Sequence, residues 1–312
     1  MEKLTKTVSL PLANVTSLTD IIQMKIVKFL GGLGNQMFQY AFYLTLQNKF
    51  KKVKADLTDF ETYPLHNGFE LNSIFGIELD TVSKFELNLY LPHNRKWIWR
   101  KLRRLYRTKH AYMEETMSFA YDKAIFSDTQ NRYYWGYWQD VDYVNMVAQE
   151  LREHFRFPVL NDSKNKELLR HIRQHTTVAL HVRRGDYLNE VNTHLGSVCD
   201  TAYYERAIAY ILEKVASPLF VVFSNDIPWC QETFAHIDAV FVDWNTDRQS
   251  YIDMQLMSLC NHNIIANSSF SWWGAWLNSN TDKIVVSPNK WINTERENSD
   301  GRGLILDSFV TF

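Results

Sequence analysis

Residues 177–187 read Thr-Val-Ala-Leu-His-Val-Arg-Arg-Gly-Asp-Tyr. The run from Thr177 to Val182 has the length and β-branched content of a buried strand, and Arg183-Arg184-Gly185 ends it. Downstream the same rhythm repeats. A helix is predicted over 201–216, a strand over 218–223, a short helix near 228–235 and a strand over 239–243. A helix over 248–260, a strand over 263–266, a helix opening near Ser271 and a closing strand over 283–287 follow. Short Val/Ile/Phe-rich runs alternating with helices imply an α/β fold with a parallel, doubly wound sheet.

Upstream, KIVKFL (25–30) reads as a strand broken by Gly31-Gly32-Leu33-Gly34, and 36–50 as a helix with a broad apolar face. Val53 to Leu57 would complete a βαβ unit. His66-Asn67-Gly68 reads as a turn, Tyr133 to Trp138 as an aromatic strand and 140–155 as a helix. The 312 residues have room for two cores. The polar stretch Pro158-Val159-Leu160-Asn161-Asp162 suggests a linker, dividing the chain into domains at 24–158 and 159–312. The last helix is a candidate to return to the first domain. Met24 looks like the natural start, and 1–23 is expected to be an extension outside the fold.

Composition narrows the class. Hydrophobic residues at 46% and charged residues at 22% describe a folded globule, and a formal charge of −1 argues against broad nucleic-acid binding. Aromatic residues reach 14%; rings stack on sugar C–H faces, but large cores also use them. Cys199, Cys230 and Cys260 lack CxxC spacing, which suits a reducing compartment, the cytoplasm. No apolar run approaches the roughly 18 residues that span a bilayer.

In an open parallel sheet, ligands bind beyond the carboxyl ends of the strands. His181 and Arg183 follow the first strand of the second half, Ser224-Asn225-Asp226 the second, Asp243 the third and Asn267-Ser268-Ser269-Phe270-Ser271 the fourth. Four polar clusters at four strand ends describe one site. Guanidinium forks match phosphate oxygens, so adjacent arginines here suit a diphosphate and a nucleotide-activated substrate. Alternation puts Arg183 on the face of His181, leaving Arg184 to brace the loop or reach the ligand's edge. Serine hydroxyls at a helix start either cap it or cradle an anion. Asp253, among apolar helix neighbours, is either a partly exposed carboxylate or a reader of guanine's N1 and N2 edge.

Other motifs weigh less. Gly31 to Gln36 lacks the GxGxxG spacing, and no GxxxxGK[ST] exists, so dehydrogenase and kinase readings lose support. Its glycines permit either a plain helix-start turn or close backbone approach to a ligand, with Asn35 beside it. Asp140-Val141-Asp142 resembles the D-x-D of metal-dependent sugar transferases, but at a helix start Asp is a routine cap. Arg184-Gly185-Asp186 spells an adhesion tripeptide, at a strand end rather than a free loop. Segment 95–109 (RKWIWRKLRRLYRTK) interleaves eight basic residues with apolar ones, which suits either an anionic membrane surface or a helix with a solvated basic face.

GGLGNQMFQYA (31–41), HVRRGDY (181–187), FSND (223–226) and NSSFSWWGAW (267–276) together resemble the bacterial branch of the α-1,2-fucosyltransferases, over essentially all of 24–312. The resemblance implies a GT-B-like fold of two Rossmann-like domains with an inter-domain cleft. It implies inverting, metal-independent transfer of L-fucose from GDP-β-L-fucose to the 2-hydroxyl of a terminal β-galactoside, with no cofactor. It implies Arg183 on the β-phosphate, His181 and Asp253 on guanine, Ser268 and Ser269 on phosphate, and Asn35 on the fucosyl-diphosphate. Ser224, Asn225, Asp226, Asn267, Phe270 and Arg184 complete the expected donor site. The acceptor is expected against Tyr133, Trp135, Trp138 and Gln139. Asp186 either accepts the acceptor's proton or pairs with an arginine. The competing readings are a lectin-like or nucleotide-binding module and a metal-dependent transferase using Asp140 and Asp142. The expected location is the cytoplasm, with 95–109 as the contact to the inner face of the membrane.

Overall fold

The computed structural model describes residues 23–61, 67–188, 193–196, 198–293 and 303–312. The expected extension lies outside these residues except for Gln23. Two sheets organise the chain, and all their pairings are parallel. The first contains β1 (Met24–Lys28), β2 (Lys52–Asp56), β3 (Tyr112–Glu114) and β4 (Arg132–Trp135), in the order β2-β1-β4-β3. The second contains β5 (Thr177–Val182), β6 (Leu219–Ser224), β7 (Ala239–Val242), β8 (His262–Ile264), β9 (Val285–Ser287) and β10 (Val310–Thr311). Its order, β10-β9-β8-β5-β6-β7, is the doubly wound order of dinucleotide folds read from the opposite edge. The expected α/β, GT-B-like pairing of Rossmann-like sheets is therefore what the fold contains.

In the first half the helices are α1 (Leu33–Gln47), α2 (Glu70–Phe75), α3 (Lys84–Tyr90), α4 (Trp97–Leu105), α5 (Val141–Met146) and α6 (Ala148–His154). In the second they are α7 (Ser163–Gln174), α8 (Thr193–Gly196), α9 (Thr201–Lys214), α10 (Ile227–Thr233), α11 (Tyr251–Leu259) and α12 (Ser269–Leu277). The helix expected over 140–155 is two helices, because Val147 leaves helical geometry at φ −130°. Helix α7 has no sequence forecast. Its residues are mostly polar, and the supposed linker ends in its N-cap, Asp162, whose side chain accepts from Asn165 N at 2.8 Å.

Strand β5 is buried throughout because β6 and β8 flank it and helices cover both faces. Val178, Leu180 and Val182 pack with Tyr204 and Ile208 of α9. Ala179 packs with Leu168 of α7 and Leu256 of α11. In the first sheet, Val27 faces α1, and Ile26 faces Leu89 and Tyr90 of α3. Lys25 is fully buried on β1, where its ammonium donates to Asp128 O (2.6 Å) and Gln130 O (2.7 Å), and burial lowers its pKa to about 8. Helix α12 packs on α1. Phe38 lies 4.8 Å from the Trp272 ring and 4.9 Å from Trp273, and Trp273 Nε1 donates to Gly34 O at 3.0 Å.

Candidate active site

A cavity of about 960 Å³ opens between loops from both sheets. Each sheet reverses its strand order there, between β1 and β4 and between β5 and β8, which is where open α/β sheets bind ligands. The turn after β1 contributes Gly32 to Asn35, and the segment after β4 contributes Tyr137 and Gln139. The end of β5 contributes His181, and the loop after it Arg183 and Tyr187. The loop after β8 contributes Asn267, Ser268, Ser269 and Phe270.

The helices α1 and α12 start at the cavity. The first N–H of α1, on Leu33, donates to the Glu70 carboxylate. The N-cap residue of α12, Ser268, makes no side-chain cap bond and leaves that helix's first donors available to an anion. Close approach of the two starts requires Gly34, where a Cβ would lie 2.7 Å from both Phe270 N and Ser269 C. Across this contact, Asn35 Oδ1 accepts from Ser269 Oγ (2.7 Å) and Gln139 Nε2 (2.7 Å). With its oxygen occupied twice, Asn35 has its amide N–H₂ left to donate.

Alternation along β5 sends His181 and Arg183 to the cavity and Val182 to the opposite core. His181 is buried, and its Nδ1 has no hydrogen-bond partner among the described residues. Burial, reinforced by the Arg183 charge, lowers its pKa to about 3, so the ring is neutral at working pH. The Arg183 guanidinium sits 5.6 Å from the Tyr187 ring centroid. On α11, burial pushes the Asp253 carboxyl up to about 7 although Asn245 Nδ2 donates to it at 2.8 Å. Asn245 is itself held by Asn165 of α7 at 2.7 Å.

Several expected positions do not reach the cavity. Arg184 turns away, pairing with Asp226 at 3.2 Å and lying 4.0 Å over the Trp229 ring. Asp226 is the N-cap of α10, accepting from Trp229 N at 3.3 Å. Ser224 and Asn225 do line the cavity, whereas Asp243 is exposed outside it, where Asn245 and Thr246 take its place. Asn267 lines the wall, but its amide braces loops by donating to Leu195 O and Trp291 O, both at 3.0 Å. The Asp186 side chain lies outside the described residues.

The acceptor set changes most. Tyr133 is 2% exposed and donates to Asp56 Oδ2 at 2.6 Å. Trp138 stacks on Phe42 at 4.4 Å in the core, and Trp135 packs with the cluster around Met24 and Tyr133. Gln139 reaches the cavity, joined by Tyr137, which is 40% exposed. Glu115 accepts from Tyr137 N (2.8 Å) and Trp138 N (3.2 Å) and so fixes this turn. Asp140 caps α5 by accepting from Asp142 N at 2.8 Å, and neither aspartate lines the cavity.

Glu70 was not singled out from sequence because it sits in a weakly patterned segment. It is 5% exposed at the cavity wall, and burial holds its carboxyl above the usual range against hydrogen bonds from Asn67 and the Leu33 N–H.

The family profile described as Glycosyl transferase family 11 matches residues 2–304. An Escherichia coli alpha-1,2-colitosyltransferase is 34% identical over 281 residues, 88% of this chain and 94% of that one. The O-antigen biosynthesis glycosyltransferase WbnK of Escherichia coli is 34% identical over 307 residues, 90% of this chain and 97% of that one. Galactoside alpha-(1,2)-fucosyltransferase 1 of Mus musculus is 39% identical over 109 residues, covering 34% of this chain and 29% of that protein. The crystal structure of fucosyltransferase NodZ from Bradyrhizobium superposes with a TM-score of 0.47 at 13% identity, over 81% of this chain and 92% of that one. The chain is a glycosyltransferase and belongs to glycosyl transferase family 11, the α-1,2-fucosyltransferase family.

Proposed function

We propose that this protein transfers L-fucose from GDP-β-L-fucose to the 2-hydroxyl of a terminal β-galactoside, with inversion and without a metal. The observation that carries the reading is convergence: His181, Arg183, Ser268, Ser269 and Asp253 reach one cavity with Asn35. Asp253 accepts from guanine N1–H and N2–H₂, beside the neutral His181 ring. Arg183, the Ser268–Ser269 helix start and the Asn35 amide meet the diphosphate. Residues 159–312 then form the donor half and 24–158 the acceptor half.

The C1–O bond to GDP breaks while the galactoside O2 attacks the opposite face. Negative charge grows on the leaving diphosphate, where donors fixed beforehand stabilise it most. The acceptor proton passes to a carboxylate, either Glu70 at the cavity wall or Asp186 of the HVRRGDY segment. Comparing the pH–rate profiles of Glu70→Gln and Asp186→Asn assigns it. The acceptor ring stacks on Tyr137, with Gln139 beside it.

The test is GDP release and product linkage from GDP-fucose plus lactose, with and without EDTA. An α-1,2-fucosylated product at equal rates supports the reading. GDP release without glycoside formation would overturn it, and loss of activity in EDTA would overturn metal independence. The similarity to a colitosyltransferase favours a second reading, in which the donor sugar is colitose, which lacks fucose's 3-hydroxyl. Running both GDP-sugars in the assay separates the two by kcat/KM.

A further inference from the structure

Helix α4 is built inside out. Its inward side carries Trp99, over the Phe85 ring at 5.4 Å, and Leu102, packed on the cluster around Ile26 and Tyr133. It also carries a buried arginine, Arg103, whose Nη2 donates to Asn88 O (3.1 Å) and Asn94 O (2.6 Å). The outward ridge carries Trp97, Lys101 and Leu105, one turn apart, with Ile98 beside them. Trp97 and Leu105 are each 66% exposed and Ile98 is 43% exposed. Lys101 Nζ lies 4.7 Å from the Trp97 ring centroid. Arg100 and Arg104 flank the ridge, and both are exposed. Residues 91–111 contain no Asp or Glu, although the whole chain has a formal charge of −1.

We propose that α4 docks the protein peripherally on an anionic lipid surface, its Trp97–Ile98–Leu105 ridge entering the headgroup boundary and its cations meeting lipid phosphates. Solvent is a poor environment for an exposed Trp, Ile and Leu together, whereas the interface accepts both the apolar ridge and its basic flanks. A second copy of the chain would bring two unneutralised cationic ridges together. A nucleic acid would gain nothing from Ile98 and Leu105, which offer no surface for base stacking. No helix of the described residues is long and apolar enough to cross a membrane, so the contact proposed is a surface one. On this reading the protein works at the inner face of the cytoplasmic membrane.

The experiment is co-sedimentation of the full chain with phosphatidylcholine vesicles, with and without one quarter phosphatidylglycerol. Anionic vesicles should bind at least about tenfold more strongly, since each basic residue near the surface is worth several-fold. Trp97→Ser with Leu105→Ser, and separately Lys101→Glu with Arg104→Glu, should each reduce that binding about tenfold or more. Turnover of a soluble acceptor should stay unchanged, because these residues lie outside the cavity. Absence of vesicle binding, or unchanged binding by both double variants, would overturn the proposal. So would a dimer in sedimentation that the Trp97/Leu105 variant dissolves, or displacement from vesicles by mixed-sequence RNA at equal phosphate.

Discussion

Ser269 Oγ and Asn35 Oδ1 lie 2.7 Å apart although 234 residues separate them in the chain. This bond joins the start of α12 to the start of α1, and Gln139 donates to the same oxygen. Asn35→Asp keeps both incoming bonds but replaces the amide donor with negative charge facing the proposed diphosphate. We expect kcat/KM for GDP-fucose to fall at least about 100-fold, the scale of one lost preorganised donor, with little change in Tm. Activity near wild type would mean that the Asn35 amide does not meet the donor.

The neighbouring arginines should separate cleanly. Arg183→Ala removes the proposed clamp and should lower kcat at least about 100-fold while leaving Tm nearly unchanged. Arg184→Ala loses the Asp226 pair and the Trp229 stacking, both partly solvated. It should cost about 1 kcal/mol in urea unfolding and leave turnover within a few-fold. Equal kinetic damage from both substitutions would show that the loop as a whole, not Arg183, supports turnover.

Asp253 makes donor binding depend on pH. Burial raises its carboxyl from 3.8 to about 7, so the folded protein holds this proton more tightly than the unfolded chain does. The stability it contributes is full in acid and is lost as pH rises through about 7. Guanine's donors need the ionised form, so GDP affinity should fall below about pH 7, by at most about tenfold per unit. Asp253→Asn should abolish that slope and weaken GDP binding about 10- to 100-fold at pH 8, as expected for losing charge-assisted hydrogen bonds. It should also stabilise the unliganded protein at that pH. Calorimetric titration from pH 5.5 to 8.5 checks the first two, and thermal melting the third. A wild-type affinity independent of pH would remove Asp253 from guanine.

Tyr137 and Tyr133 offer a contrast on the acceptor side. Tyr137→Ala should raise the acceptor KM about tenfold while the GDP-fucose KM holds, because only Tyr137 lines the cavity. Tyr133→Phe deletes the bond to Asp56 and should cost about 1.5 to 3 kcal/mol of stability with both KM values unchanged. Steady-state kinetics paired with denaturant melts decide this. An acceptor KM raised by Tyr133→Phe alone would restore that residue to the acceptor site.

The second sheet was legible because β5, β6, β7 and β9 are short apolar runs punctuated by polar residues, so local pattern alone marks their ends, while β8 (His262–Ile264) is marked by the apolar Ile264, Ile265 and Ala266 at and after its end. His181 and Arg183 followed from alternation at one such end. Helix α7 was not legible, because a polar helix capped by Asp162 looks locally like a linker. Nor was the acceptor wall. Tyr133, Trp138 and Tyr137 are the same kind of residue in one stretch, and only packing on Phe42 and the Glu115 anchor decides which ring is covered. Glu70 became a site residue only when α1 closed over it, since burial is a property of neighbours distant in sequence.

The sequence by itself determined the doubly wound rhythm, the strand end where His181 and Arg183 emerge, and the family. Tertiary structure decided the rest: which aromatics are core, that Arg184 braces Asp226 rather than reaching the ligand's edge, and that Asn35 and Ser269 meet. The physical reason is range. Periodicity and strand-end chemistry act over a few residues, whereas exposure, proton affinity and the meeting of two helix starts depend on atoms the chain brings together only on folding.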